Sequence, residues 1–87
     1  KAAMVNFTQM LAKELGGYNI TVNALGPTPI YTDLLRGVAD DKIERLIERQ
    51  SIKRVGEMRD VSNAVDFFLQ DDSDFITGQI VYLGGVF

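Results

Sequence analysis

The fold is decided by residues 20–32, which read ITVNALGPTPIYT within a chain of 87 residues. Apolar and polar residues alternate in the first half of this segment and predict a strand over residues 19–25. Each of the two prolines that follow lacks an amide donor and fixes φ, so the strand cannot continue through residues 26–30. The segment therefore predicts a stiff loop that leaves the carboxyl end of a strand, which is where open α/β sheets bind ligands.

Helical periodicity flanks this strand and loop on both sides. Apolar residues recur at helical spacing over residues 1–15 and again over residues 58–69. Residues 32–50 form a third helical stretch, in which Asp40 or Asp41 is predicted to cap a second helix. Gly37 interrupts this stretch and its apolar stripe is narrow, so we expect a helical flap of low local stability.

The remaining elements complete an α/β pattern. A second strand is predicted over residues 79–83, and Gly16-Gly17 is predicted to end the first helix in the left-handed conformation. Strands separated by helices indicate a parallel sheet with covered faces, and two strands are too few for a stable sheet. Helical periodicity is already running at Lys1, where no capping residue precedes it. We therefore expect a piece of a longer protein, with a processed N-terminus as the alternative.

Composition excludes several classes of function. The chain has no cysteine and no histidine, which excludes disulfides, thiolate nucleophiles, Cys-ligated zinc and histidine acid–base catalysis. The net charge of −3 argues against a nucleic-acid partner, and no apolar run is long enough to span a membrane. Asp71, Asp72 and Asp74 do not match the spacing of a calcium-binding EF-hand, so no metal site is predicted. The absence of cysteine and of an export signal is compatible with a cytoplasmic location.

Two features are candidate sites on the residues alone, and each has a purely structural alternative. The loop at residues 26–32 presents backbone groups and the Thr32 hydroxyl to a flat polar ligand, or is an ordinary strand-to-helix connection. Lys1 places an ammonium where it can lower the pKa of a neighbouring group, or is a solvated lysine.

Four segments in order resemble the motifs of short-chain dehydrogenases/reductases, and the nearest type is the 3-oxoacyl-acyl-carrier-protein reductases. The segments are Lys1-Ala2-Ala3, which resembles the end of a Tyr-x-x-x-Lys motif, ITVNALGPTPIYT at residues 20–32, RVGEMRDV at residues 54–61 and FITGQIVYLGG at residues 75–85. The resemblance covers essentially all of the chain. It departs from the family at Thr28, where glycine is usual, and at Leu83, where aspartate is usual.

The resemblance implies a fold and an activity. The fold is α/β, the C-terminal part of a single Rossmann-type domain with a doubly wound parallel sheet, in which residues 31–50 form a helical substrate lid. The implied activity is NAD(P)-dependent oxidoreduction that interconverts a carbonyl and an alcohol by hydride transfer, with 3-oxoacyl thioesters as a substrate class and NAD or NADP as cofactor. The implied partner, besides the small-molecule substrate, is a further copy of the protein in a dimer or tetramer.

The resemblance also implies roles for particular residues. Lys1 is the catalytic lysine, which lowers the pKa of a proton-donating tyrosine and bonds the ribose hydroxyls of the nicotinamide. Pro27, Thr28, Ile30 and Thr32 meet the nicotinamide end of the cofactor, Ile30 through its backbone and Thr32 through its hydroxyl. The phosphate loop and the catalytic serine and tyrosine are implied to lie upstream, so these 87 residues alone are expected to be inactive. The alternative is an incomplete fragment or a dead relative that acts as an assembly or binding module.

Overall fold

The computed structural model of the chain describes residues 2–26 and 36–85. The helices and strands in chain order are α1 (Ala2–Leu15), β1 (Ala24–Gly26), α2 (Asp40–Glu48), α3 (Met58–Leu69) and β2 (Ile80–Tyr82), with single 3₁₀ turns at Gly16–Tyr18 and Asp71–Ser73. The chain forms two compact units, one from Lys1–Leu25 with Ala64–Val81 and the other from Gly26–Asn63 with Tyr82–Phe87. Within the described ranges, none of the helices has the length and apolarity needed to cross a bilayer.

The two helices with clear periodicity form where the sequence predicts them. The helix predicted over residues 1–15 is α1, and the helix predicted over residues 58–69 is α3. Helix α1 buries Thr8 and Ala12, and α3 buries Ala64, so each helix turns a narrow strip of small side chains inward. Periodicity locates both helices, although in α1 the periodic residues Met4 and Phe7 remain exposed among the described residues.

Helix α1 ends at Leu15, directly before Gly16-Gly17 as predicted, but the left-handed residue differs from the prediction. Gly16 and Gly17 lie in the 3₁₀ turn, and the left-handed residue is Asn19, with φ of 60° and ψ of 35°. The backbone N–H of Asn19 donates to the carbonyl of Gly16 at 3.0 Å. Asparagine tolerates the left-handed region better than other residues with a Cβ, so the left-handed position falls at Asn19, two residues after Gly17.

Both strands are shorter than predicted, because side chains replace part of their backbone pairing. The N–H of Gly78 donates to the carbonyl of Val22 at 2.7 Å, and that of Ala24 donates to the carbonyl of Gln79 at 2.9 Å. The partners advance in the same direction along both segments, so β1 and β2 are parallel, as predicted.

Asn23 and Thr77 bridge the gap between these two backbone bonds. The N–H of Val22 donates to Oγ1 of Thr77 at 2.9 Å, and the N–H of Gln79 donates to Oδ1 of Asn23 at 3.0 Å. Nδ2 of Asn23 also donates to the carbonyl of Ile76 at 3.1 Å. The strand predicted over residues 79–83 therefore contracts to Ile80–Tyr82. The strand predicted over residues 19–25 begins only at Ala24, and it extends to Gly26, which the sequence placed in the loop.

The helical stretch predicted over residues 32–50 is described only in part, since residues 32–35 lie outside the described ranges. Helix α2 occupies Asp40–Glu48, and its N-cap is Ala39, which makes no side-chain capping bond. The prediction that Asp40 or Asp41 caps this helix is therefore wrong, because both lie in its first turn. There Asp41 pairs with Arg45 at 2.8 Å, one helical turn away.

Within the described residues, large apolar side chains remain exposed on α1. Met4 is 48%, Phe7 57% and Met10 53% exposed, whereas the buried apolar residues are Ala12 and Ala64. Apolar area of this kind stabilises a protein only when another surface removes it from water. The described residues therefore leave the apolar face of α1 available for further packing.

Candidate functional site

All of the sequence-predicted site residues lie outside the described ranges. These residues are Lys1, Pro27, Thr28, Ile30 and Thr32. The structure does describe their immediate neighbours, since α1 begins at Ala2 and β1 ends at Gly26. What the structure shows is therefore the set of described residues near the candidate site, most of which lie in the unit containing Gly26–Asn63 and Tyr82–Phe87.

The end of β1 is closed by the aromatic ring of Tyr82. Gly26 is buried, and a Cβ at this position would lie 2.9 Å from Cε1 of Tyr82, 3.1 Å from its Cγ and closer still to its Cδ1. Any side chain at residue 26 would therefore displace the ring. Glycine at this position therefore allows the ring of Tyr82 to lie directly against the backbone at the end of β1.

The turn after β2 holds residues 51 and 52 through its backbone. The N–H groups of Ser51 and Ile52 both donate to the carbonyl of Gly84, at 2.9 and 3.0 Å, and Oγ of Ser51 donates to the carbonyl of Gly85 at 3.2 Å. Gly84 and Gly85 have φ of 75° and 77°, a region that favours glycine. The Gly-Gly pair therefore acts here as an anchor for the segment after α2, and it shows no phosphate-binding pattern.

Gln50 is the most buried polar residue among those described, at 2% exposure. Its Nε2 donates to the carbonyls of Ile52 and Arg54, each at 2.9 Å. A Cβ on Gly84 would lie 3.0 Å from the same nitrogen. Because a buried amide is costly unless it is hydrogen-bonded, these contacts fix the path of residues 50–54 against the glycine turn.

An ion pair holds the start of α3. Arg54 donates from Nη1 to Oδ2 of Asp60 at 2.9 Å and from Nη2 to Oδ1 at 3.2 Å, while the N–H of Glu57 donates to Oδ2 of Asp60 at 2.8 Å. The bond from Arg54, followed by that from Glu57, lowers the pKa of Asp60 to about 2. The same bond raises the pKa of Arg54. The pair ties the segment before α3 to its first turn.

A cavity of about 180 Å³ lies among these residues, lined by Gln50, Arg54, Asp60 and Gly84 together with four others. Gln50, Arg54 and Asp60 among its polar lining residues hydrogen-bond within the protein, and no described hydroxyl, thiol or lysine side chain lines it. In the part of the chain that the structure describes, no cluster of acidic side chains could hold a metal ion. The described lining of the cavity therefore contains none of the predicted site residues, which are the catalytic Lys1 and the cofactor-binding residues among 27–32.

Sequence reasoning missed Tyr82 and Gln50. Tyr82 appears in the sequence only as one residue of a strand, and its contact with Gly26 depends on which residues of β1 and β2 lie side by side. Gln50 lies just beyond α2 with no motif around it, and only its burial distinguishes it. A strand-end glycine paired with an aromatic residue in the neighbouring strand is the one signal available in advance, and it requires the register to be known.

Comparison with known proteins identifies the family. A family model described as enoyl-(acyl carrier protein) reductase matches residues 1–86. The 3-oxoacyl-[acyl-carrier-protein] reductase of Staphylococcus epidermidis is 36% identical over 85 residues, covering 98% of this chain and 35% of that protein. The L-xylulose reductase of Caenorhabditis elegans is 40% identical, covering 100% of this chain and 36% of that protein.

A solved structure gives the same result. The crystal structure of the 3-oxoacyl-[acyl-carrier protein] reductase from Brucella melitensis superposes with a TM-score of 0.84 at 33% identity, over 99% of this chain and 33% of that one. This chain therefore spans about a third of the length of the relatives it matches. Because the family model matches residues 1–86, the chain belongs to this enoyl-(acyl carrier protein) reductase family of short-chain dehydrogenases/reductases.

Proposed function

We propose that the chain forms the C-terminal part of a Rossmann-type domain in an NAD(P)-dependent oxidoreductase that interconverts a carbonyl and an alcohol. The observation that carries the proposal is the family match over residues 1–86, joined to four motifs in the family's order. The parallel pairing of β1 with β2 supports it, because the loop then leaves the carboxyl end of a strand within a parallel sheet. The substrate class we propose is 3-oxoacyl thioesters, the class named for two of the relatives described above.

The residues of this chain would act at the nicotinamide end of the cofactor. When bound, the cofactor supplies or accepts the hydride. Lys1 would bond its ribose hydroxyls and lower the pKa of a proton-donating tyrosine, because a nearby ammonium favours the tyrosinate form. Pro27, Thr28 and Ile30 would orient the nicotinamide through backbone groups, and Thr32 would do so through its hydroxyl. The proposed cofactor is NAD or NADP.

Residues 31–50 are proposed as the substrate lid. Helix α2 supports this assignment, because its polar residues dominate and Leu46, in its apolar stripe, is 43% exposed. A helix with few buried contacts opens at low free-energy cost, which a lid requires. The anchored end would be residues 50–52, which are bonded to one another and to the turn at Gly84-Gly85.

The second candidate function is an assembly or binding module, and the exposed apolar face of α1 favours it. Met4, Phe7 and Met10 lie at helical spacing on this face and would be covered in a dimer or tetramer. The two functions are compatible if the protein is an oligomeric enzyme; they are alternatives only if it lacks catalysis. A cytoplasmic location is part of the same proposal.

The proposal is tested by Lys1→Ala in the protein that carries these residues. We expect the rate of NAD(P)H-linked reduction of an acetoacetyl thioester to fall by at least about a hundredfold, since acid–base groups contribute this much. Lys13→Ala is the matched control, because Lys13 is an exposed lysine in the last turn of the same helix. An unchanged rate in Lys1→Ala refutes the assignment of Lys1. A wild-type protein that binds neither cofactor refutes the oxidoreductase proposal as a whole.

A further inference from the structure

We propose that Tyr82 is a positioning residue for the cofactor segment: its ring fixes Gly26 and so sets the point at which the chain leaves β1. The inference rests on the proposed function, because its measured consequence is cofactor binding. Tyr82 lies within the segment FITGQIVYLGG, and neither the residues nor the resemblance assigned it a role.

The contact between Tyr82 and Gly26 is tight and involves the body of the ring. A Cβ on Gly26 would approach Cγ, Cδ1 and Cε1 of Tyr82, at 3.1 Å from Cγ and 2.9 Å from Cε1. Cγ is the ring atom nearest the backbone, so the ring cannot make room by moving only its hydroxyl end. Gly26 is buried beneath it, and Tyr82 is half-buried.

The backbone that carries the ring is held by hydrogen bonds. The carbonyl of Tyr82 accepts from the N–H of Gly85 at 3.2 Å, and the carbonyl of Gly84 in the same turn accepts from the N–H groups of Ser51 and Ile52. The turn that follows Tyr82 is therefore anchored on two sides. A ring carried on hydrogen-bonded backbone restrains the residue that it covers, whereas a ring on a free strand end would move together with that residue.

Covering a strand glycine with a cross-strand aromatic has a clear physical effect. Glycine has the greatest backbone freedom of any residue and weakens a strand end. An aromatic ring from the neighbouring strand restores order, because it shields the glycine backbone from water and restricts its motion. Residue 27 follows Gly26 directly in the sequence, so the proposed cofactor segment begins next to this contact.

The pair predicts a coupled pattern among variants. Tyr82→Val removes the ring and Gly26→Ala displaces it, and each is expected to weaken cofactor binding by about tenfold, since small misplacements of positioning groups cost this much or more. Tyr82→Phe keeps the ring and is expected to bind within about twofold of wild type. The double variant Gly26→Ala/Tyr82→Val is expected to lose less cofactor affinity than the two single losses multiplied together, because the methyl group of the new alanine then fills the space left by the ring.

The experiment measures binding of NADH and of NADPH by calorimetry to the protein that carries these residues. Gly17→Ala and Tyr18→Val are the matched controls, because a Cβ on Gly17 meets nothing within 4 Å and Tyr18 is 75% exposed. Hydrogen exchange at the Gly26 amide without cofactor is the second readout, and we expect faster exchange in Tyr82→Val. Thermal unfolding identifies variants that fail to fold, and Tyr82→Leu replaces Tyr82→Val if the latter does not fold.

The outcomes separate the inference from the proposed function. Wild-type protein that binds neither cofactor overturns both. Wild-type protein that binds, with Tyr82→Val binding equally well and with unchanged exchange at Gly26, overturns the role of Tyr82 alone. Single effects that multiply with no recovery in the double variant overturn it as well, since the two residues would then act independently. Weakened binding in Tyr82→Val with normal binding in Tyr82→Phe supports it.

Discussion

The most informative single perturbation of the fold is Asn23→Ala. The Asn23 side chain stands between the two strands where backbone pairing is incomplete. It donates to the carbonyl of Ile76 at 3.1 Å and accepts from the N–H of Gln79 at 3.0 Å. Alanine removes both bonds and leaves two backbone groups of the 76–79 segment without their partner.

The expected loss follows from these two bonds. A hydrogen bond of this kind contributes about 1 kcal/mol net, so the variant should lose about 2 kcal/mol of local stability. A difference of 1.4 kcal/mol is tenfold in an equilibrium constant, so opening at Gln79 should become about thirtyfold more favourable. The amide of Gln79 should therefore exchange with solvent about thirtyfold faster.

Hydrogen exchange of the Gln79 amide, followed by NMR or mass spectrometry, measures this effect directly. Asn6→Ala is the control, because Asn6 is an exposed residue of α1, and its Gln79 exchange should match wild type. Asn23→Asp sharpens the test at neutral pH, since the carboxylate keeps the acceptor for Gln79 but puts an oxygen against the carbonyl of Ile76. Its stability deficit should shrink as pH falls, when protonation restores a donor. Exchange of Gln79 in Asn23→Ala within about twofold of wild type would refute the reasoning.

Two further predictions concern the residues that support the candidate site. Bonding to Arg54 lowers the pKa of Asp60 to about 2 from 3.8, so wild-type protein should lose stability as pH falls through this range. Asp60→Asn should show less of that loss when urea midpoints are measured against pH. Gly85→Ala should cost about 1–3 kcal/mol of unfolding free energy in urea, because φ is 77° and the new Cβ would lie 2.7 Å from Oγ of Ser51. Gly16→Ala should be close to neutral, because its Cβ would meet nothing within 4 Å, and an equal loss in both variants would contradict the account.

Hydrophobic periodicity and the positions of glycine and proline predicted which helices and strands form better than they predicted where those helices and strands end. Helices α1 and α3 were located to within a residue, because each carries an apolar stripe over more than two turns. The start of β1 was wrong by five residues and the other strand ends by one, because alternation cannot show that Asn23 and Thr77 substitute for ladder bonds. The left-handed position fell at Asn19 because local propensity does not decide among neighbouring residues that can all adopt it.

The motifs of the candidate site could be predicted from the sequence, but the contacts that support the neighbouring backbone could not. Lys1 and residues 27–32 were identified from resemblance to a family, and the family match over residues 1–86 is consistent with that resemblance. Their roles stay predictions, since they lie outside the described residues. The contacts of Tyr82 with Gly26 and of Gln50 with Gly84 depend on strand register and on long-range packing. No local pattern carries that information.

The measurement that tests the central claim most directly is transfer of deuterium from NADH or NADPH, with both C4 hydrogens replaced by deuterium, to an acetoacetyl thioester by the protein that carries these residues. Hydride transfer predicts one deuterium on the carbinol carbon of the hydroxyacyl product for each cofactor oxidised. An alcohol without deuterium, or no oxidation of either cofactor across a panel of 3-oxoacyl thioesters and simple ketones, would contradict the account.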